Sequence, residues 1–300
     1  MYHYVREINN SQYPYLKGLE FKEFKNQINY LKKNFNILSN DDFIEIINTK
    51  KIPKKKSVLL TFDDGYKDHY KYVYPYLKRK KIYGNFYPPV QVLKNNKVLD
   101  VNKIHFILEK EDNKNKLLNL IIKYAKKYMD FDEVDLEINK IKLFCRYDDK
   151  NTEIIKRLLQ NHIPQPYREK ILNKLFTTIL NIDEKEFSKK LYMDPENIIE
   201  MYKNKMSIGS HGDYHLWWEK LSYYNQHKEI KNSINYFKKL NVYDENFSVC
   251  YPYGSYNNNT IKILKKYNIK YALTTRVDSI NKNNLNKVLM LPRHDTNDFR

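Results

Sequence analysis

Only two cysteines occur in the 300 residues, Cys145 and Cys250, far apart and without metal-binding spacing. No disulfide framework follows from such a pair, which suits a reducing compartment. Glycine and tryptophan are scarce as well, 6 and 2 residues against 28 tyrosines, a drift toward Lys, Asn and Tyr. Long apolar runs are missing. The most apolar stretch, Leu117-Leu118-Asn119-Leu120-Ile121-Ile122, is far too short to cross a bilayer. The chain opens in MYHYVRE, with no basic segment leading into an apolar one, so no secretory leader is visible. A cytoplasmic protein is expected, with peripheral contact to an anionic membrane left open.

What is present begins with charge. The 54 Lys and Arg outnumber the 36 Asp and Glu, a net +18. A balance of that size steers a protein toward nucleic acid, anionic lipid or phosphorylated substrates. The lysines, however, are spread along the whole chain, and no helix-turn-helix, zinc-finger or ribonucleoprotein motif accompanies them. Nucleic acid is therefore not the expected partner. The length allows one large domain, or a domain plus an insertion, and 41% hydrophobic residues suffice for a core.

The informative stretch is Thr61-Phe62-Asp63-Asp64-Gly65-Tyr66. Ser57-Val58-Leu59-Leu60 before it reads as a buried strand, so the strand ends in two adjacent carboxylates and a glycine turn. Adjacent acids repel unless a cation or a shared proton offsets them. Ile208-Gly209-Ser210-His211-Gly212-Asp213-Tyr214-His215 supplies a site for such a cation. Histidines four apart share one face of a helical turn, and both rings can reach one ion. One carboxylate from the first stretch completes two histidines and an aspartate, with positions left open for water and substrate.

Coarse periodicity places these motifs. A helix is expected from about Phe21 to Asn34, a strand at Phe35–Leu38, and a second helix capped by Ser39 or Asn40 with Phe43, Ile46 and Ile47 inward. Asp68–Lys80 reads as a helix that Pro75 bends, followed by a strand at Tyr83–Tyr87. This βαβ unit implies parallel strands in a barrel or an open sheet. Residues 91–200 differ, with helical spacing near 102–110, 115–128, 151–160, 167–180 and 195–204. His105 and His162 lie there without ligand partners in sequence and read as structural. Met206-Ser207-Ile208 reads as a strand, Glu219–Leu240 as a long helix, Phe247–Tyr251 as a strand, and Val288-Leu289-Met290 as the final strand. Trp217 and Trp218 are adjacent and point in different directions; core packing is the expected fate of either, with a flat face left for a ligand ring as the alternative.

The motifs TFDDGY, SHGDYH and Tyr251-Pro252-Tyr253-Gly254 resemble the first three of the polysaccharide deacetylase superfamily (NodB-homology, carbohydrate esterase family 4). The opening Met1-Tyr2-His3-Tyr4-Val5 resembles the first strand of its circularly permuted branch, which includes the poly-N-acetylglucosamine deacetylases. The resemblance covers residues 1–90 and 200–300. It implies a distorted (β/α) barrel of the α/β class, interrupted by a mainly α-helical insertion. The expected division is 1–90 and 201–300 for the two parts of the barrel and 91–200 for the insertion.

The resemblance also implies roles. Asp64, His211 and His215 would hold a divalent ion, most simply zinc, with cobalt, nickel or ferrous iron as alternatives. Asp63 would be the base, the Tyr253 amide an oxyanion donor, and His3 the general acid, histidine being the side chain that exchanges protons near neutral pH. The family's third motif begins with an Arg that holds the base, and Cys250 stands in its place here. Arg293 is the candidate replacement, with His294, Asp295 and Asp298 nearby, and Asp295, Trp217 and Trp218 are candidate substrate contacts. The implied activity is metal-dependent removal of the N-acetyl group from an amino sugar in a glycan or its nucleotide- or lipid-linked precursor. The alternatives are a catalytically impaired sugar- or phosphosugar-binding protein on the same fold, and a deacylase or deformylase of another amide.

Overall fold

The structure, a computed structural model, describes residues 1–143 and 148–299; Cys145 lies outside them. The chain forms two compact units, one of Met1–Glu7, Gly18–Lys97 and Ser188–Arg300, the other of Ile8–Lys17 and Val98–Phe187. The second unit is thus narrower than the 91–200 span: residues 91–97 and 188–200 belong with the first, and 8–17 joins the second.

The first unit alternates short strands with helices. β1 (Val5–Arg6) and β2 (Leu19–Glu20) precede α1 (Phe21–Asn34), and β3 (Asn36–Leu38) leads into α2 (Asn40–Thr49). Ser39 caps α2: its hydroxyl accepts from the Asp42 amide at 3.1 Å, and the Asp42 carboxylate accepts from the Ser39 amide at 2.8 Å. The inward residues of α2 are Phe43, Ile44 and Ile47, so Ile44 takes the place expected for Ile46. β4 (Ser57–Leu59) and β5 (Thr61–Asp63) follow. The expected helix over 68–80 opens instead as a π-turn, His69–Val73, before α3 (Tyr74–Arg79). Its reason is Pro75, which has no N–H to continue the ladder; the Tyr74 amide reaches five residues back to the His69 carbonyl. β6 (Asn85–Tyr87) and α4 (Val90–Lys94) complete this part.

In the second unit run α5 (Asp100–Lys110), α6 (Lys114–Ala125), α7 (Phe131–Asn139), α8 (Lys150–Arg157) and α9 (Gln165–Leu180). Phe106 and Phe176 each meet Phe187 edge-on, at centroid distances of 4.8 and 5.1 Å. Buried Lys103 is neutralised by Glu184 at 2.9 Å and bonded to Asn173 at 2.6 Å. His162 bonds Glu137 at 2.9 Å, in keeping with a structural role. α10 (Glu184–Leu191) and α11 (Pro195–Lys203) carry the chain onward.

The remainder comprises β7 (Ser207–Ile208), α12 (Tyr223–Lys239), β8 (Val249–Cys250), α13 (Asn258–Lys266), β9 (Ala272–Leu273) and α14 (Lys282–Leu285). The long helix expected at 219–240 starts only at Tyr223, after a separate turn at Trp218–Lys220, because Ser222 caps it on the Asn225 amide. Val288–Met290 is a 3-10 turn rather than a strand. The Met290 amide bonds back to Lys287, and Leu291 pairs with Leu273 in parallel register.

Parallel pairing links Tyr2 to Phe62, β5 to β6, β6 to β7, Ser210 to Val249, β8 to β9, and Leu273 to Leu291. The Met1 nitrogen donates to the His294 carbonyl at 2.6 Å, so the ladder returns to its start as a ring. Side chains alternate across each strand. Phe62 therefore faces outward, stacked between Tyr2 at 5.0 Å and Phe86 at 4.7 Å, and Phe24 of α1 meets Tyr2 edge-on at 5.2 Å. Thr61 and Asp63 face the opposite way, into the ring, where Arg293 bonds both. This alternation is what delivers a carboxylate to the site.

Candidate active site and metal centre

Asp63 ends β5 and Asp64 begins the turn, with φ +70 and the hydroxyl of Tyr66 on its Oδ2 at 2.7 Å. Gly65 follows at φ +70, where a Cβ would stand 2.7 Å from Pro88 Cβ, so only glycine lets this turn lie against the end of β6. The left-handed turn points the two consecutive carboxylates at different neighbours.

Asp63 is gripped. Arg293 Nη1 and Nη2 donate to its Oδ1 and Oδ2 at 3.0 and 2.8 Å, a two-pronged pair. Arg293 is itself anchored by donating Nε–H to the Thr274 carbonyl at 2.9 Å. The Cys250 thiol donates to Asp63 Oδ2 at 3.4 Å and takes a bond from Arg293 Nη2 at 2.8 Å. Burial alone would raise the Asp63 carboxyl, but Arg293, together with the His211 and His3 imidazoles, outweighs it and holds the group well below the usual carboxylate range. Burial pushes the Cys250 thiol well up, so it stays protonated. His3 presents Nε2 at 4.0 Å from Asp63 Oδ2 with its side chain 41% exposed. Its backbone is fixed from beneath, where buried His69 donates Nε2–H to the His3 carbonyl at 2.7 Å.

Asp64 faces the two histidines instead. Its Oδ1 lies 3.6 Å from Nε2 of both His211 and His215, and those two nitrogens are 3.2 Å apart. All three side chains are buried, and Asp64 Oδ1 has no hydrogen-bond partner among the described residues. Four-coordinate ligands about 2.0–2.1 Å from a zinc-like ion stand about 3.3 Å from one another. Three converging donor atoms with an orphaned carboxylate oxygen among them therefore fit a divalent cation. His211 donates Nδ1–H to the Cys250 carbonyl at 2.8 Å, which leaves its Nε2 lone pair toward the set. Burial lowers both histidines, His215 to about 3, so both rings are neutral. Burial pushes the Asp64 carboxyl up, but the facing imidazoles of His215, His3 and His211 and the Tyr66 hydroxyl bring it lower than usual.

The histidines do not share a helical turn, as their spacing suggested. Residues 211–215 form an irregular turn, with φ +83 at Gly212 and +58 at His215. The rings converge because the turn is folded onto α12 and α4. Glu229 accepts from the amides of Asp213 at 3.2 Å and Tyr214 at 3.1 Å, and Asn232 and Gln91 hold the Asp213 carboxylate at 3.0 and 2.6 Å. Burial raises the Glu229 carboxyl to about 7. Glu229, Asn232 and Gln91 belong to no motif in the sequence, and Tyr66 stands in the TFDDGY stretch without an assigned role. The spacing of 229, 232 and 233 along one helix face was the available signal, but it reads as an ordinary polar stripe.

Tyr253 also sits in the left-handed region, at φ +58. Its ring stacks flat on half-buried Trp217 at 4.4 Å and meets His215 edge-on at 4.6 Å. Trp218 is the inward member of the pair: it is 0% exposed and packs against Tyr251, so it cannot touch a substrate. Asp295 is turned to its own loop, where its carboxylate accepts from the Asn297 amide and side chain at 2.8 and 2.7 Å. His294 bonds Ser279 at 3.2 Å, and Asp298 accepts from the Asp295 amide at 3.0 Å. Of the expected site residues, His3, Asp63, Asp64, His211, His215, Tyr253, Trp217 and Arg293 come together; Trp218 and Asp295 do not.

The family model described as polysaccharide deacetylase matches residues 50–104 and 147–272 of this chain. The Bacillus subtilis protein YxkH is 35% identical over 80 residues, and the matched part spans about a quarter of either protein, 26% of each. Among solved structures, the Streptococcus pyogenes deacetylase PplD in complex with acetate is 19% identical, with 98% of this chain and 88% of that one covered and a TM-score of 0.58. IcaB from Ammonifex degensii is 16% identical, with 91% and 82% covered and a TM-score of 0.52. At these identities the likeness is one of fold.

Proposed function

From the premise that this chain belongs to the polysaccharide deacetylase family and carries the α/β fold of its NodB-type members, we propose that it removes the N-acetyl group from an amino sugar in a glycan or a glycan precursor. One observation carries this reading above a binding role. The base position that loses its usual Arg to Cys250 regains a guanidinium from Arg293, with both prongs on Asp63. The similar structure of PplD, a deacetylase, holds acetate, the product such a reaction releases.

The residues divide the work. Asp64, His211 and His215 would hold a divalent metal, zinc being the simplest choice for two nitrogens and a carboxylate. When bound, such an ion supplies an acidified water and a polarised acyl carbonyl, which suits a base as weak as the clamped Asp63. Asp63, ionised at every working pH, takes the water's proton. The Tyr253 amide donates to the oxygen on which negative charge develops. His3, exposed beside Asp63, protonates the departing amine. Half-buried Trp217 on Tyr253 offers an apolar face to the sugar ring. The net charge of +18 favours an anionic carrier, such as a nucleotide- or lipid-linked amino sugar.

Metal content and acetate release from N-acetylated sugars, measured on wild type and on Asp63→Asn, test the proposal together. Near-stoichiometric metal in both, with acetate release lost only in the variant, is expected. Metal without release from any oligosaccharide or nucleotide sugar would move the activity to another acyl group or to binding. No metal after zinc reconstitution would sink the site.

A further inference from the structure

Two of the three proposed metal ligands are oriented by a second bond of their own: Asp64 by the Tyr66 hydroxyl at 2.7 Å and His211 by the Cys250 carbonyl at 2.8 Å. His215 lacks one. Its Nδ1 is buried and without a hydrogen-bond partner among the described residues. A ligating imidazole ordinarily has its far nitrogen bonded, which fixes ring direction and tautomer. His215 moreover stands at φ +58, a backbone state that costs a non-glycine residue on the order of 1 kcal/mol. Something outside the ring must hold it.

The turn that carries His215 is held by one face of α12. Glu229 Oε2 takes the amides of Asp213 and Tyr214, at 3.2 and 3.1 Å, and Oε1 takes the Tyr214 amide at 3.3 Å. Successive amides turned toward one carboxyl group form a nest, and three bonds to it fix the backbone of residues 213–214. Gly212 makes room for this: a Cβ there would lie 3.2 Å from Trp218 and 3.5 Å from Glu229 Oε2, and its φ is +83. One turn further along the helix, Asn232 holds the Asp213 carboxylate, and Ser233 bonds the Ser210 hydroxyl at 2.9 Å. Glu229 is 6% exposed, and its carboxyl group is bonded to the backbone of the turn.

We propose that Glu229 is a positioning residue for His215, setting metal affinity through the backbone of residues 213–214 in place of the missing side-chain bond. The inference rests on the reading of Asp64, His211 and His215 as the metal set. Glu229→Ala should weaken zinc binding by about tenfold to a hundredfold, the usual effect of removing a partner behind a ligand. Glu229→Gln keeps one oxygen as acceptor but puts an NH2 where Oε1 shares the Tyr214 amide, and should fall in between.

Zinc dissociation constants from competition with a chelator, on wild type, both variants and Lys231→Ala from the same helix, decide it. Hydrogen exchange at the amides of Asp213 and Tyr214 should quicken in both Glu229 variants and not in the Lys231 control. Loss of melting temperature with zinc affinity within threefold of wild type would mean a merely structural role and overturn the proposal. Should Glu229→Ala not fold, Glu229→Gln alone decides, fivefold weakening or more supporting the proposal and twofold or less overturning it. A wild type that binds no zinc refutes the metal reading itself, whereas tight zinc unchanged in the variants refutes only the role of Glu229.

Discussion

Asp63 and Asp64 are the same side chain at consecutive positions, and only their neighbours make them different. Asp63 meets a guanidinium and a thiol, while Asp64 meets two imidazoles and a phenol. Arg293→Ala leaves a buried carboxylate unpaired and should cost about 3–5 kcal/mol in urea unfolding. Arg293→Lys, which keeps the charge but not the fork, should fold and lose most of kcat. An Arg293→Ala protein within 1 kcal/mol of wild type would show that the pair does not hold the carboxylate. At this scale the sequence pointed to the residues that converge, two acids at a strand end and two histidines four apart. It was silent about Glu229 and Gln91, and about the part of Tyr66 within its motif, since they bond backbone amides or another side chain and leave no spacing to read. Trp217 and Trp218 show the limit from the other side, since adjacency says that they diverge but not which one turns inward.

Between strand and helix, the π-turn at His69–Val73 does two jobs that a plain α-helix would not. It absorbs Pro75, and it carries His69 beneath the first strand, where its ring packs on Phe62, Tyr66 and Phe86 and its Nε2 holds the His3 carbonyl. Burial lowers His69 to about 4. Between pH 6.5 and 4 the unfolded chain binds a proton that the folded chain refuses. His69 therefore removes about 1.4 kcal/mol of stability per pH unit as pH falls through that window, and nothing above it. His69→Asn should flatten the stability–pH curve there by that slope, read from denaturant midpoints; parallel curves would count against a neutral buried His69. Pro75 announced a bend but not its kind, since period alone does not separate α from π. The apolar run Val288-Leu289-Met290 likewise looked like a strand and is a turn, because three apolar residues in a row fit either.

For the whole molecule, the motif stretches were legible because Asp63 ends β5 and Cys250 ends β8. The edges of the helical unit were not, since joining 8–17 to 98–187 is a contact between residues distant in sequence. Among the described residues, no helix is long and apolar enough to cross a membrane. Ligand linkage gives the global prediction. An ion present at a thousandfold its dissociation constant stabilises the folded state by about 4 kcal/mol. Chelation should then lower the melting temperature by on the order of 10 °C, and should do nothing to His215→Ala. An unmoved wild-type melting temperature would speak against a resident ion.

Asp64, His215 and Tyr253 all hold left-handed backbone that glycine adopts freely. Glycine at any of them would relieve that backbone and take away a carboxylate, an imidazole or an aromatic wall, so a variant selected for thermal robustness alone would trade the site for stability.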